Sequence, residues 1–108
     1  MAVKRYFKTK AANAAVDNDD INIPSGTTVL IRVIDFTAPA QQMAGVKVYV
    51  GPTGNPTTLI AAAQGDKVLH IPPEDGVVEG PKTIRCQLDN SNNASGALLG
   101  IAIYYEEL

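Results

Sequence analysis

One histidine, one cysteine and a few neighbouring carboxylates are all that the 108 residues offer to chemistry needing a titratable or nucleophilic group. His70 sits between Leu69 and Ile71, with no second histidine and no spaced set of cysteines, so the donors of an ordinary zinc site are missing. The same shortage leaves a nucleophile–base–orienter triad without its parts. Cys86 lies in the alternating run Ile84-Arg85-Cys86-Gln87-Leu88, on the face of Ile84 and Leu88. It reads as a buried structural thiol, and being single it excludes an internal disulfide. Asp17-Asn18-Asp19-Asp20 is rich in oxygen, and Asp17 and Asp19 are the best-suited cation ligands. The glycine and the bidentate glutamate of an EF-hand loop do not follow, so a solvated turn is expected. Glu74-Asp75 and Glu106-Glu107 are adjacent pairs whose side chains would leave a strand on opposite faces, which does not preset them for acid–base work. The stretch Gly76-Val77-Val78-Glu79-Gly80-Pro81-Lys82-Thr83 is too short between its glycines for a phosphate loop, and Pro81 removes a backbone donor that such a cradle needs. No catalytic residue, metal ligand or cofactor is therefore expected, and the protein reads as a non-enzyme.

Surfaces are what remain. Lys4, Arg5, Lys8 and Lys10 place four of the 9 basic residues within the first ten positions, where there is no acid. The rest of the chain holds the other five basic residues against all 11 acidic ones, so a basic arm is attached to an acidic body. Such an arm suits an acidic partner surface. Exposed charge pairs contribute only about 0–1 kcal/mol each, so Val3, Tyr6 and Phe7 must supply most of the grip. The expected partner-binding residues are thus Val3, Lys4, Arg5, Tyr6, Phe7, Lys8 and Lys10. The arm is expected to contact another protein chain instead of folding back as an ordinary core strand. Nucleic acid is a poor fit: Tyr6 and Phe7 could stack on bases, but the acidic body offers no broad basic groove. Tyr49, Tyr104 and Tyr105 would form a sugar-stacking platform if they met on one face. With no Trp and 6% aromatic residues, packing is the expected role of these tyrosines. Asn93-Ala94-Ser95 fits a glycosylation sequon. However, the basic start leads into Tyr6-Phe7-Lys8 and not into an apolar leader, and no apolar run is long enough for a membrane helix. Synthesis in a cytoplasm without processing is expected.

The elements that would position these residues are strands. Residues 27–36 carry the densest run of β-branched and large apolar side chains, uninterrupted by Gly or Pro. Strand alternation puts Val29, Ile31 and Val33 on one face and Leu30, Ile34 and Phe36 on the other, which predicts a central strand covered on both sides. Val33→Asp would then place a charge in the core. Residues 46–50 alternate with three valines inward, residues 83–88 present Ile84, Cys86 and Leu88, and residues 97–105 present Leu99, Ile101, Ile103 and Tyr105. Short strands recur between Gly, Pro and Asn turns, and no helical period is sustained. That pattern predicts an all-β, antiparallel β-sandwich or jelly-roll-like domain of seven to eight short strands. Residues 1–10 alternate weakly and suit an edge strand or an extended N-terminal arm. The expected organisation is a basic arm and spacer over 1–16 and a single sandwich domain over 17–108.

The basic arm, the turn into the sandwich at Ile23-Pro24-Ser25-Gly26-Thr27-Thr28 and the terminal strand over 98–105 together resemble the small β-sandwich decoration (cement) proteins of tailed-phage capsids. The resemblance implies a non-enzymatic virion protein on the capsid exterior. It implies binding to the major capsid protein or another shell protein, as a homo-oligomer that could be a trimer, with the arm extended over a neighbour by strand addition or charge. A second class fits the same layout: a small carbohydrate- or surface-binding module of a phage fibre or adhesin.

Overall fold

The computed structural model describes residues 3–10, 16–38, 45–63, 65–89 and 99–108, of which 3–10 are described in their backbone alone. Two antiparallel sheets face each other, as the alternation predicts. The first is ordered β1 (Val3–Lys10), β9 (Leu99–Glu107), β3 (Thr28–Thr37) and β6 (Lys67–His70), with β7 (Val77–Glu79) also paired to β3. The second runs β2 (Asp17–Ile23), β8 (Lys82–Asp89), β4 (Gly45–Gly51) and β5 (Thr58–Ala63). Turn chemistry links them where the sequence places it. Thr27 N–H donates to the Pro24 carbonyl and Asn55 N–H to that of Pro52, with Gly26 and Gly54 at positive φ in the third position of each turn.

Strand β3 departs from strict alternation. It pairs in register with β9 up to Ile31↔Tyr105 and resumes at Val33↔Tyr104, leaving Arg32 as the extra residue of a bulge. The phase reverses there. Val29 and Ile31 are buried before the bulge, and Ile34 and Phe36 after it, all against the facing sheet. Val33, expected inside, falls on the outer face and is only half-buried, as are Leu30 and Asp35. The expectation of a strand covered on both sides is thereby corrected: β3 is central in its sheet but buries one face. Extending the apolar set through Ile31 and Ile34 without the bulge would send half of it to solvent.

The remaining core follows the sequence closely. Ile101 and Ile103 lie opposite Phe36 and Ile34, and the second sheet supplies Val46, Val48, Ile84, Cys86 and Leu88, all fully buried. Pro73–Gly76 forms one helical turn, α1, between β6 and β7. Gly76 lies so close to the Ile31 carbonyl that a Cβ there would collide with it. The Arg32 carbonyl, on the β6 side of β3, accepts a hydrogen bond from Ile71 N–H at 2.9 Å, one residue beyond β6.

Two further expectations are revised. Residues 17–20, expected as a turn, form the first half of β2, because Asn18, Asp20 and Asn22 find polar partners across on β8. Over residues 3–10 the arm is an edge strand of the chain's own sheet, antiparallel to β9 from Val3↔Glu106 to Lys10↔Leu99. Most of the expected spacer, residues 11–15, lies outside the described residues. β9 would otherwise present a nine-residue open edge, and β1 satisfies its backbone groups.

The bulge sets a test. Ile34→Asp should cost on the order of 4 kcal/mol or more and abolish cooperative folding, whereas Val33→Asp should cost about 1 kcal/mol. Thermal melts of the two variants check this, and equal losses would place the phase change elsewhere.

Candidate functional site

The sheet edges carry the features that fit partner binding. One edge of the first sheet is β1, with formal charge +4 over Lys4, Arg5, Lys8 and Lys10. Register sets Val3, Arg5 and Phe7 opposite Glu106, Tyr104 and Ala102, and Lys4, Tyr6, Lys8 and Lys10 opposite Tyr105, Ile103, Ile101 and Leu99. The structure therefore brings all seven expected partner-binding residues onto one edge strand.

The opposite edge consists of β6, α1 and β7, each lying along β3. Glu74, Asp75 and Glu79 are exposed there, and so are Val68 (55%) and Val77 (51%), large apolar side chains at a sheet margin. Beside this edge a groove lies between the two sheets. Ile60 of β5 faces Leu69, His70 and Ile71 across an open groove of about 420 Å³ that ends at Asp75. A second hollow continues it past Asp75 towards Val77 and Lys82. His70 is exposed at this margin.

Outside the sandwich, β2 and β8 are laced by polar side chains. Arg85 Nε and Nη2 donate to the two oxygens of Asp20 at 2.8 and 2.9 Å, and Gln87 donates to Asn18 at 3.1 Å. The Thr83 hydroxyl donates to Asn22 Oδ1 at 2.7 Å and accepts from Gly54 N–H, which ties the 52–55 turn to the sheet. Thr83, expected on the polar face with Arg85 and Gln87, is completely buried by these bonds. On the first sheet, Arg32 pairs with Glu106, whose side chain is only 8% exposed. The extra residue of the bulge thus carries the cation that compensates a buried carboxylate. Sequence reading missed this pair, because it depends on the β3–β9 register, which sets Glu106 opposite Leu30 and within reach of Arg32.

The remaining candidates are dispersed. Cys86 is buried as expected. Burial first, then the nearby carboxylates Asp19 and Asp20, push its thiol up to about 12, so it is inert as a nucleophile at neutral pH. Among the described residues no group of three potential ligands gathers around a cation site, and Asp17 and Asp19 are spread along β2. The three tyrosines do not form one platform: Tyr49 belongs to the second sheet, while Tyr104 and Tyr105 alternate along β9 of the first.

No family model and no curated protein matches the chain. Among solved structures, the crystal structure of Aeromonas hydrophila PliG, a periplasmic lysozyme inhibitor of g-type lysozyme, is similar, with TM-score 0.46 and 11% identity over 98% of this chain and 86% of that one. That similarity assigns no residue and no role.

The Asp20–Arg85 pair predicts a pH dependence. Hydrogen bonding from Arg85 holds the Asp20 carboxyl below its ordinary value; partial desolvation opposes this, and the charge of Arg85 adds to the lowering. A depressed carboxylate pKa contributes stability that is present above the unfolded value, about 4, and is lost as pH falls through the folded one. The parent should therefore melt slightly above Arg85→Ala at pH 7, with the difference closing below about pH 4. A difference that persists at pH 2 would assign it to packing.

Proposed function

We propose that this is a non-enzymatic virion structural protein, a decoration or cement protein that binds the outer face of a tailed-phage capsid as an oligomer. The observation that carries the proposal is β1: an eight-residue basic strand held along one side by β9, at the margin of a rigid sandwich. Such a strand can pair a second backbone along its other side, and its lysines favour an acidic partner over indiscriminate edge pairing. The resemblance of the arm, the 23–28 turn and the terminal strand to decoration proteins supplies the biological setting. The sandwich supplies a stiff body from which an edge can grip a lattice.

The carbohydrate-binding alternative gains nothing from the tyrosines, which are divided between the sheets. Among the described residues, His70 and Asp75 share one open groove. Groove geometry of that kind serves contact with an extended polypeptide.

Co-sedimentation with undecorated tailed-phage capsid shells tests the proposal. The parent and His70→Ala should pellet with the shells alike. A variant with Lys4, Arg5, Lys8 and Lys10 all changed to Glu should bind at least about tenfold more weakly. A parent that ignores every shell offered, or a turnover that disappears in His70→Ala, would overturn the reading.

A further inference from the structure

The two edges of the first sheet are opposite in charge, and their strand directions match. β1 is antiparallel to β9, β9 to β3, and β3 to both β6 and β7. The sheet thus begins and ends on strands of opposite direction. A second copy in the same orientation, with its β1 beside the β6–α1–β7 edge, would continue the alternation as an antiparallel pair. We propose that the β6–α1–β7 edge is the receiving surface for β1 of a second copy, so that the chain assembles head to tail through one continuous sheet. With the decoration reading this shares only the premise that β1 acts between chains.

Charge favours this pairing and opposes the symmetric one. Two β1 edges meeting would set four cations against four, whereas the receiving edge presents Glu74, Asp75 and Glu79 to the solvent. Register narrows the fit. Carried across β9 and β3, Lys8 stands level with Lys67, and Val3 with Val77. A neighbour docked with no offset would therefore set Lys8 against Lys67. Sliding it by about four residues towards β7 brings the level of its Arg5 to Glu79 and of its Lys8 to α1, where Glu74 and Asp75 lie; closing sheets carry such staggers. An even shift also keeps the outward positions of the two strands on one face. Val68 and Val77, half or more exposed on this edge, would lose water in the contact. The contact is heterologous, so it propagates until rotation closes a ring.

Light-scattering mass over a wide concentration range tests the assembly. The parent should form a closed species larger than a dimer. Two variants, Lys4→Glu/Arg5→Glu/Lys8→Glu and Glu74→Lys/Asp75→Lys/Glu79→Lys, should each associate at least tenfold more weakly. The first has two acidic edges and the second two basic ones, so their equimolar mixture should recover association. Melts of each variant show whether it folds, and disulfide trapping needs neither charge variant. Arg5→Cys mixed with Glu79→Cys should cross-link between chains. Within one chain these positions are separated by three strand spacings, roughly 14 Å, across the sheet and by about four residues along it, which no disulfide spans. Buried Cys86 stays out of the reaction. A monomeric parent, a mixture that fails to associate, or Arg5→Cys cross-linking to itself but not to Glu79→Cys would overturn the inference. An oligomer that ignores shells removes only the decoration reading, and shell binding by a monomer removes only this one.

Discussion

The pairing of β3 with β9, broken once at Arg32, is the constraint on which the rest of the sandwich depends. β3 has to serve two ends of one core. Val29 and Ile31 point inward at its start, Ile34 and Phe36 at its finish, and their spacing does not fit a single uninterrupted alternation. One extra residue resolves the conflict. The break in the pairing with β9 falls at residue 32, and three contacts gather around it. The Arg32 carbonyl takes Ile71 N–H, its guanidinium takes the nearly buried Glu106, and Gly76 lets α1 lie against the Ile31 backbone. The bulge, the α1 turn between β6 and β7 and the buried ion pair thus lie together on β3.

That feature shapes the margin of the first sheet. β6 and β7 both lie along β3, one on each side of the bulge, so α1 bridges them where the ladder is interrupted. The result is an irregular, acidic edge with two exposed valines, while β1 forms a regular, basic edge at the other end of the same sheet. A sandwich that is not closed into a barrel has to manage its edges. Here the edge strand β2 carries Asp17, Asp19 and Asp20, and the edge strand β1 its cations.

The distribution of polar groups supports a division of labour between faces and edges. On the outside of the second sheet, Asp20–Arg85, Asn18–Gln87 and Asn22–Thr83 satisfy one another and stiffen the β2–β8 pair. Side chains committed to each other in this way serve rigidity. The carboxylates of α1 and β7 are exposed at the margin, where a partner can reach them.

The sequence by itself determined the all-β class, the two Gly-containing turns, and the buried apolar residues Val46 and Val48 of β4, Ile84, Cys86 and Leu88 of β8, and Leu99, Ile101 and Ile103 of β9. Each of these follows from local alternation or from a turn's demand for positive φ, which neighbouring residues reveal. It also marked Cys86 as buried, because Ile84 and Leu88 share its face. The tertiary structure alone decided the rest. Which residue of β3 would be extra depended on the register of a strand some seventy residues away, so the outward turn of Val33 and the pairing of Arg32 with Glu106 left no local trace. Asp17 to Asp20 look like a turn until Arg85 and Gln87 are set beside them as cross-strand partners. The basic first residues carry the composition of a free arm, and it is the open edge of β9 that makes them a strand. Charge segregation was legible from the start, but the two ends of a sheet cannot be recognised as complementary before the strand order is known.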